Sequence, residues 1–145
     1  MNIIQSTNNE VKEVTKLEKM LWPDNAYKEL HNLFLELIKD EHTVLFLAID
    51  KGVYIGFAQC QLRFDYVEGT NSSPVGYLEG IYVLEEYRHQ GIGRELVYAC
   101  EKWSKSKGCV EFGSDVEFHN TASYEFHLKI GFLEQNRIIC FSKKL

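Results

Sequence analysis

The stretch of the chain with the clearest chemical signature is a glycine loop, Arg88-His89-Gln90-Gly91-Ile92-Gly93. It follows the apolar run 77–84 and precedes a segment with helical periodicity that begins near Arg94. Glycine has no Cβ, so a ligand can approach the main chain closely. The first N–H groups of a helix have no partner within it, and the helix dipole there favours negative charge. The loop therefore predicts either a diphosphate site or a plain tight turn.

Two other phosphate-binding motifs do not fit the spacing of this loop. No Gly-Lys-Ser/Thr follows, so it is not a P-loop, and no acidic residue about 20 residues on plays the ribose role of a dinucleotide site. The histidines show no ligand spacing, and we expect no metal. The cysteines form no C-x-x-C pair and are predicted to be buried free thiols, with a catalytic cysteine the lesser alternative and a zinc site less favoured still; they are Cys60, Cys100, Cys109 and Cys140.

Two carboxylates are the next candidates for chemistry. Glu79 lies within an apolar run that should form a buried strand, where a carboxylate is costly unless it is paired or used. It therefore either bonds to a neighbouring Arg or Tyr, or acts on a ligand. Asp115 lies at the C-terminal end of the next predicted strand, where ligands of open α/β sheets gather. Its alternative role is that of a turn or cap residue.

Composition limits the class of protein. A chain of 145 residues favours one domain. The formal net charge of −5 disfavours nucleic acid and suits a polycationic ligand. No stretch approaches the ~20 apolar residues of a membrane span, and the segment 1–5 has neither the basic nor the long apolar region of a signal peptide. We therefore expect a cytoplasmic protein without a membrane partner.

The elements that must position these residues alternate between strands and helices. Antiparallel strands come first and a strand–helix–strand crossover follows, which predicts an α/β mixed sheet with helices on both faces. A first helix is expected to be capped by Asn8 or Asn9 and ended by Pro23. The remaining helices are predicted at 25–39, 92–107 and 120–130, and the strands at 2–5, 44–49, 53–66, 77–84, 110–115, 132–134 and 137–142. Gly108 and Gly131 are predicted to close the last two helices.

A second segment, from Asn120 to Phe132, narrows the interpretation. Together with the glycine loop it resembles the GNAT N-acetyltransferase superfamily, whose acetyl-CoA loop has the form [RQ]-x-x-G-x-[GA] and whose later helix starts near an Asn and ends in Gly-Phe. The resemblance covers the whole chain. It implies one GNAT domain over 1–145, with a mixed, mostly antiparallel central sheet that is flanked by helices and splayed at the acetyl-CoA site.

Shorter matches are scattered along the chain and are more specific. They resemble the aminoglycoside 6′-N-acetyltransferases, which acetylate the 6′-amino group of these antibiotics and confer resistance. The matching segments are Leu21-Trp22-Pro23, Asp65-Tyr66-Val67, Ser72-Ser73-Pro74-Val75, Leu78-Glu79-Gly80-Ile81, Ser114-Asp115 and Phe141-Ser142-Lys143-Lys144.

The resemblance implies acetyl-CoA as the donor substrate. The strand backbone of Ile81, Tyr82 and Val83 would hold the pantetheine arm, and Asn120 would contact the cofactor near its thiol. The pyrophosphate would be held by the loop residues His89, Gln90, Gly91, Ile92, Gly93 and Arg94. The N–H of Val83 and its neighbours could also polarise the thioester carbonyl, provided that a bulge or splay in the strand frees them.

The resemblance also implies that Trp22, Tyr66, Glu79 and Asp115 contact the aminoglycoside. An amine attacks the acetyl carbonyl only when neutral, and deprotonating a Lys-like amine at pH 7 costs about 4–5 kcal/mol. Glu79 could take that proton, directly or through a water, while Asp115 pairs with other ammonium groups. We expect direct transfer in a ternary complex, without a covalent enzyme intermediate.

Two positions depart from the pattern of the resembling proteins. His127 stands where the superfamily often has a Tyr that protonates the leaving thiolate; it could donate a proton, but packing within the helix is the favoured role. The resemblance further implies a homodimer in which the C-terminal segment of one subunit reaches its partner's acceptor pocket. Relatives often carry an acidic residue at the position of Asn136, and here that charge is absent.

Two alternatives remain at this point. The first is a GNAT acetyltransferase for another amine, such as a polyamine or a protein N-terminus. The second is a non-catalytic acyl-CoA-binding sensor on the same fold. The presence of both Glu79 and Asp115 argues against the sensor, because a binding module would not need them.

Overall fold

The computed structural model describes residues 1–145 and is built around one five-stranded sheet. Its strands are β1 (Asn2–Gln5), β2 (Thr43–Asp50), β3 (Val53–Arg63), β4 (Val75–Val83) and β5 (Phe112–Ser114). They lie in sequential order; the first three pairings are antiparallel and only β4 and β5 are parallel. This confirms the predicted mixed, mostly antiparallel sheet.

Helices cover both faces of the sheet, as predicted. They are α1 (Val11–Leu21), α2 (Tyr27–Leu37), α3 (Ile92–Ser106) and α4 (Thr121–Lys129). The helices α1 and α2 bury their apolar sides against Leu47 and Phe57 of the sheet. On the opposite face, α3 packs Leu96 and Cys100 against Ile55, and α4 adds half-buried side chains to the same core. No helix has the length and apolar character that crossing a membrane would require.

Local side-chain chemistry explains where several elements begin and end. Thr7, rather than Asn8 or Asn9, caps the first helical turn: its hydroxyl accepts the N–H of Asn9, and Glu10 accepts the N–H of Thr7. This reciprocal capping box starts a short 3-10 turn that leads into α1. The predicted cap was therefore wrong by one or two residues.

The glycines that were predicted to end the last two helices do so. Gly108 and Gly131 follow α3 and α4 with φ of +89° and +101°, values that glycine adopts without steric cost. The hairpin between β2 and β3 likewise turns at Lys51 and Gly52, with φ of +47° and +82°.

The sheet opens at its parallel end. The strands β4 and β5 pair only where Gly76–Leu78 lies beside Phe112–Ser114, while β4 continues to Val83 without that neighbour. Across β4, Gln59 pairs with Gly80 and Cys60 with Leu78, so Glu79 is an extra residue in a β-bulge. The predicted splay is therefore present, and the bulge lies at the predicted catalytic carboxylate.

The predicted strands 132–134 and 137–142 are absent. Residues 132–145 form no helix or strand, and Ile138, Ile139 and Phe141 are exposed. An extended segment becomes a strand only when a neighbour accepts and donates its backbone hydrogen bonds. Within one chain, this segment has no such neighbour. The strand predicted at 53–66 ends earlier, as β3, and the strand predicted at 110–115 is shorter at both ends, as β5.

The cysteines are free thiols, as predicted. Cys60, Cys100 and Cys109 are buried, but Cys140 is exposed, so the prediction of burial was wrong for Cys140. It lies between Ile139 and Phe141, whose side chains are also exposed.

Candidate active site

The glycine loop presents unpaired backbone N–H groups. Gly91 has a φ of +82° and stands immediately before α3, while His89 has a φ of +61°. No side chain caps this helix, and the first intrahelical bond runs from the N–H of Glu95 to the carbonyl of Gly91. The N–H groups of the three residues between them have no backbone partner. The helix start therefore has the character of an anion site.

The second glycine of the loop has a packing role. A Cβ on Gly93 would lie 2.9 Å from Cε2 of Phe126, so only glycine lets α3 approach α4 this closely. A Cβ on Gly91, by contrast, would have no atom within 4 Å apart from its neighbours in the chain. The loop thus combines one glycine for backbone conformation with one for helix packing, a distinction that spacing alone did not predict.

A groove between α3 and α4 continues from the anion site. Its volume is about 380 Å³, and it combines cationic side chains with an apolar floor and an aromatic ring. It is lined by Arg94, Val97, Tyr98, Glu101, Lys129, Ile130 and Gly131. Its position next to the free N–H groups suits a ligand that carries negative charge and an apolar ring.

The open edge of β4 offers main-chain groups to a ligand. The N–H of Leu84 donates to Ile55 of β3 at 2.9 Å. Since successive residues of a strand direct their N–H and C=O groups to opposite sides, those of Ile81 and Val83 point away from β3. The carbonyl of Val83 accepts from Nε of Arg88 at 2.9 Å. The N–H groups on this side therefore face the gap where β4 and β5 separate.

The two predicted acids belong to one network. Nε and Nη2 of Arg63 donate to the two carboxylate oxygens of Glu79, each at 2.9 Å. The same guanidinium lies 3.5 Å from the ring centroid of Tyr77. The Tyr77 hydroxyl in turn donates to Oδ2 of Asp115 at 2.5 Å. Glu79 is thus paired with an Arg, which was one of the two alternatives predicted for a buried carboxylate.

The electrostatics of this network follow from its contacts. The hydrogen bonds that Arg63 donates to the Glu79 carboxylate raise the pKa of Arg63, so the guanidinium stays charged. Burial, followed by the contact with Asp115, raises the pKa of Tyr77 well above its ordinary range. Tyr77 therefore remains a hydrogen-bond donor throughout the physiological pH range. Sequence reasoning missed both residues; the available signal was that a buried carboxylate requires a donor nearby.

The two predicted aromatic residues lie near this network but differ in burial. The indole of Trp22 packs onto β4, where a Cβ on Gly80 would lie 2.9 Å from its Cη2. Gly80 therefore makes room for Trp22 directly beside Glu79. Tyr66 lies in the loop after β3 and is 75% exposed, next to Val67, which packs against Tyr77.

Side chains of α4 approach the splay from the other side. Asn120 caps this helix, its Oδ1 accepting the N–H of Ser123 at 3.1 Å. His127 is buried; its Nδ1 lies 2.7 Å from the carbonyl of Ser123 and its Nε2 2.8 Å from Oγ of Ser114. A carbonyl only accepts, so Nδ1 carries a proton, and Nε2 shares a hydrogen bond with the Ser114 hydroxyl. These bonds and the rings of Phe126 and Phe132 support the packing role of His127.

The structure places Asn136 away from the acid network. Its Nδ2 donates to Glu68 at 3.0 Å on an exposed surface, and it bonds to neither predicted acid. The neighbouring Gln135 packs onto Gly69. Within one chain, therefore, Asn136 does not join the other predicted acceptor residues.

Comparison with known families identifies the class. Residues 10–132 match the model of the acetyltransferase (GNAT) family. The chain belongs to this family, and the predicted GNAT fold and the resemblance stated above are confirmed.

Individual relatives make the comparison more specific. The aminoglycoside N(6′)-acetyltransferase type 1 of Salmonella enteritidis is 38% identical over 147 residues, covering 99% of each chain. The solved structure of AAC(6′)-Iy in complex with the bisubstrate analogue CoA-S-monomethyl-acetylneamine is 37% identical with a TM-score of 0.96, covering 99% of this chain and 98% of that one. The apo 6′-N-acetyltransferase AAC(6′)-IG from Acinetobacter haemolyticus is 34% identical with a TM-score of 0.95, covering 100% and 99%.

Proposed function

We propose that this protein transfers the acetyl group of acetyl-CoA to the 6′-amino group of aminoglycoside antibiotics and thereby confers resistance. The observation that carries the proposal is the pair of carboxylates, Glu79 and Asp115, held in one network beside the splay of β4 and β5. Polycationic acceptors suit such acids. The relatives named above, one of them bound to a molecule that joins CoA to an aminoglycoside, support this substrate class.

The donor would lie across the splay. The free N–H groups of Ile92, Gly93 and Arg94, with the preceding residues His89, Gln90 and Gly91, suit its pyrophosphate. The main chain of β4 at Ile81, Tyr82 and Val83 would hold the pantetheine arm, and the groove between α3 and α4 would take the nucleotide end. Asn120 uses its Oδ1 as a helix cap and keeps its Nδ2 for the cofactor.

The chemistry would be direct attack of the amine on the thioester. A carboxylate offers about four acceptor positions, so Glu79 can hold and deprotonate the 6′-amine while bonded to Arg63. Asp115 would hold a second ammonium group, and Trp22 and Tyr66 would line the sugar. As the C–N bond forms, the carbonyl oxygen gains charge beside the N–H of Val83. The C–S bond then breaks and CoA leaves as a thiolate. Because an ordinary thiol has a pKa of about 8.5, this is not a demanding leaving group.

We also propose that two copies of the chain form a homodimer. Ile138, Ile139 and Phe141 are exposed in a segment whose sequence favours a strand. A strand supplied by a second copy would satisfy its backbone and cover these side chains. Asn136 would then meet the partner's acceptor as a neutral hydrogen-bonding group, without the charge of its relatives.

The remaining expectations form part of the same proposal. We propose that residues 1–145 are one acetyltransferase domain that acts in the cytoplasm, where acetyl-CoA is available, without a nucleic-acid or membrane partner. The free state of all four cysteines is consistent with a reducing compartment.

Release of free thiol from acetyl-CoA tests the function. We expect turnover with kanamycin-type drugs that carry a 6′-amine and none with analogues that carry a 6′-hydroxyl. Turnover with spermidine or peptide N-termini, and none with the drugs, would favour the alternative acceptor class. Tight CoA binding without turnover on any amine would instead indicate a sensor.

A further inference from the structure

We infer that Arg63 is a positioning residue for acetyl transfer: it fixes the plane of the Glu79 carboxylate and, through Tyr77, its separation from Asp115. The site would therefore select acceptors that present two ammonium groups at a matching spacing. This inference rests on the proposed function and concerns how the same site chooses among amines.

The ion pair between Arg63 and Glu79 has a fixed geometry. Two nitrogens of the planar Arg63 guanidinium donate to both oxygens of Glu79. This bidentate pair favours one orientation of the guanidinium plane relative to the carboxylate plane. The guanidinium itself lies on the ring of Tyr77, so it cannot swing freely. Lysine offers neither the fork nor the stacking plane. Glu79 stands in a β-bulge, where the main chain alone constrains it less than in a regular strand.

Tyr77 links this ion pair to Asp115. Tyr77 is 6% exposed and packs against Val67 and Val75, so its hydroxyl has a fixed position. A Cβ on Gly113 would lie 3.0 Å from Cδ2 of Tyr77, so the ring passes close under β5. Asp115 follows this strand directly and accepts the Tyr77 hydroxyl. The two carboxylates are thus tied to one rigid unit, although they come from different strands.

The consequence for the acceptor follows from charge. One guanidinium balances one of the two carboxylates, so the network keeps a formal negative charge in the free protein. Each carboxylate also retains acceptor positions that its internal partner does not occupy. An acceptor with one amine can use only one of these acids. An acceptor with two amines at the right spacing uses both, without moving either.

Steady-state kinetics of Arg63→Ala test the positioning role. We expect kcat for a 6′-amino aminoglycoside to fall by roughly 10- to 100-fold, since small displacements of a reacting group have effects of that order. The KM for acetyl-CoA should not change, because the side-chain contacts of Arg63 are with Glu79 and Tyr77 and not with the glycine loop. Guanidinium ion at millimolar concentration should restore part of the kcat that Arg63→Ala loses. The Arg63→Lys enzyme should have the low kcat of Arg63→Ala, because lysine cannot form the two parallel hydrogen bonds. The matched control is Lys16→Ala, which removes an exposed ion pair with Glu13 and should leave kcat unchanged with or without guanidinium.

A second variant tests the spacing role and serves if Arg63→Ala does not fold. Tyr77→Phe keeps the stacked ring but removes the hydroxyl that holds Asp115. We expect it to reduce the preference in kcat/KM for a diamino acceptor over its monoamino fragment. An Arg63→Ala enzyme with parental kcat, or a Tyr77→Phe enzyme with parental preference, would overturn the inference while leaving the proposed function intact. A parent enzyme without activity on any 6′-amine would overturn both.

Discussion

At the scale of single residues, the chemistry depends on how each carboxylate is paired. Glu79 is held by Arg63, and Asp115 by Tyr77. Glu18 of α1 has no such partner: it is fully buried, and neither carboxyl oxygen accepts or donates a hydrogen bond. The same residue type therefore occurs here once as a candidate base and once as a buried, neutral acid.

Replacing Glu79 by Gln should separate catalysis from donor binding. The amide keeps the size of the side chain but cannot take the proton of the attacking amine, so kcat should fall by about 10²- to 10⁴-fold. Acetyl-CoA affinity, measured by calorimetry on the same preparation, should remain that of the parent. Equal turnover in the two proteins would show that Glu79 is not the base.

Replacing Glu18 by Met should stabilise the protein, and more so at high pH. Burial raises the pKa of Glu18 to about 9, whereas the unfolded chain ionises near pH 4.3. The unfolded state therefore releases this proton first, and the free energy of unfolding falls as pH rises from about 4 to about 9. The total loss is about 6 kcal/mol if the full shift applies.

Urea unfolding of the parent and of Glu18→Met at pH 5, 7 and 9 measures this difference. The stability gap between the two proteins should widen with each step and level off above pH 9. The control is Glu13→Gln, a half-exposed change on the same helix, which should leave the parent's stability nearly unchanged at all three pH values. A gap that stays constant over this range would mean that Glu18 ionises normally.

Among the secondary-structure elements, the candidate site depends on the spacing between β4 and β5 and between α3 and α4. The strands β4 and β5 separate after three paired residues, and α3 begins at the glycine loop with its first N–H groups free. The packing of α3 on α4, through Gly93 and Phe126, fixes where that helix start lies. The proposed donor site therefore depends on both the strand separation and the helix contact.

Gly93→Ala should test this contact. The added methyl would meet the Phe126 ring at 2.9 Å, and overpacking of this kind costs about 1–3 kcal/mol. We expect a lower free energy of unfolding and a higher KM for acetyl-CoA. Phe126→Leu should relieve part of both effects in the double variant. Additive effects of the two changes would argue against the direct contact.

At the scale of the whole molecule, the C-terminal segment is the part that one chain leaves without a partner. Ile138, Ile139 and Phe141 are exposed, while Glu134 and Asn136 are held by hydrogen bonds to Tyr124 and Glu68. The segment thus starts from a fixed point and then extends beyond the packed core. This arrangement favours exchange of the segment between two copies.

Sedimentation of the parent and of Ile139→Lys should decide the oligomeric state. We expect a dimer for the parent and a shift to monomer for the variant, because a charge would enter the buried contact. The acceptor KM should rise with dissociation if the partner's Asn136 contributes to the pocket. Lys144→Ala is a matched control at the same end of the chain. A parent that sediments as a monomer would contradict the proposed dimer.

The class of fold and the helix start at the glycine loop could be predicted from the residues alone. The glycine loop, the strand before it and the helix after it are adjacent in the chain, so their local propensities and spacing were sufficient. Helix ends at Gly108 and Gly131 were predictable for the same reason, since a left-handed residue is a local requirement.

Contacts between residues far apart in the chain followed only once the folded arrangement was known. Arg63 meets Glu79, and Tyr77 meets Asp115, because a bulge and strand pairing bring separate segments together. The burial of Glu18 and the lack of a partner for the C-terminal segment likewise depend on what packs beside them. Periodicity describes which face of an element is apolar, but not which side chain of another element lies opposite it.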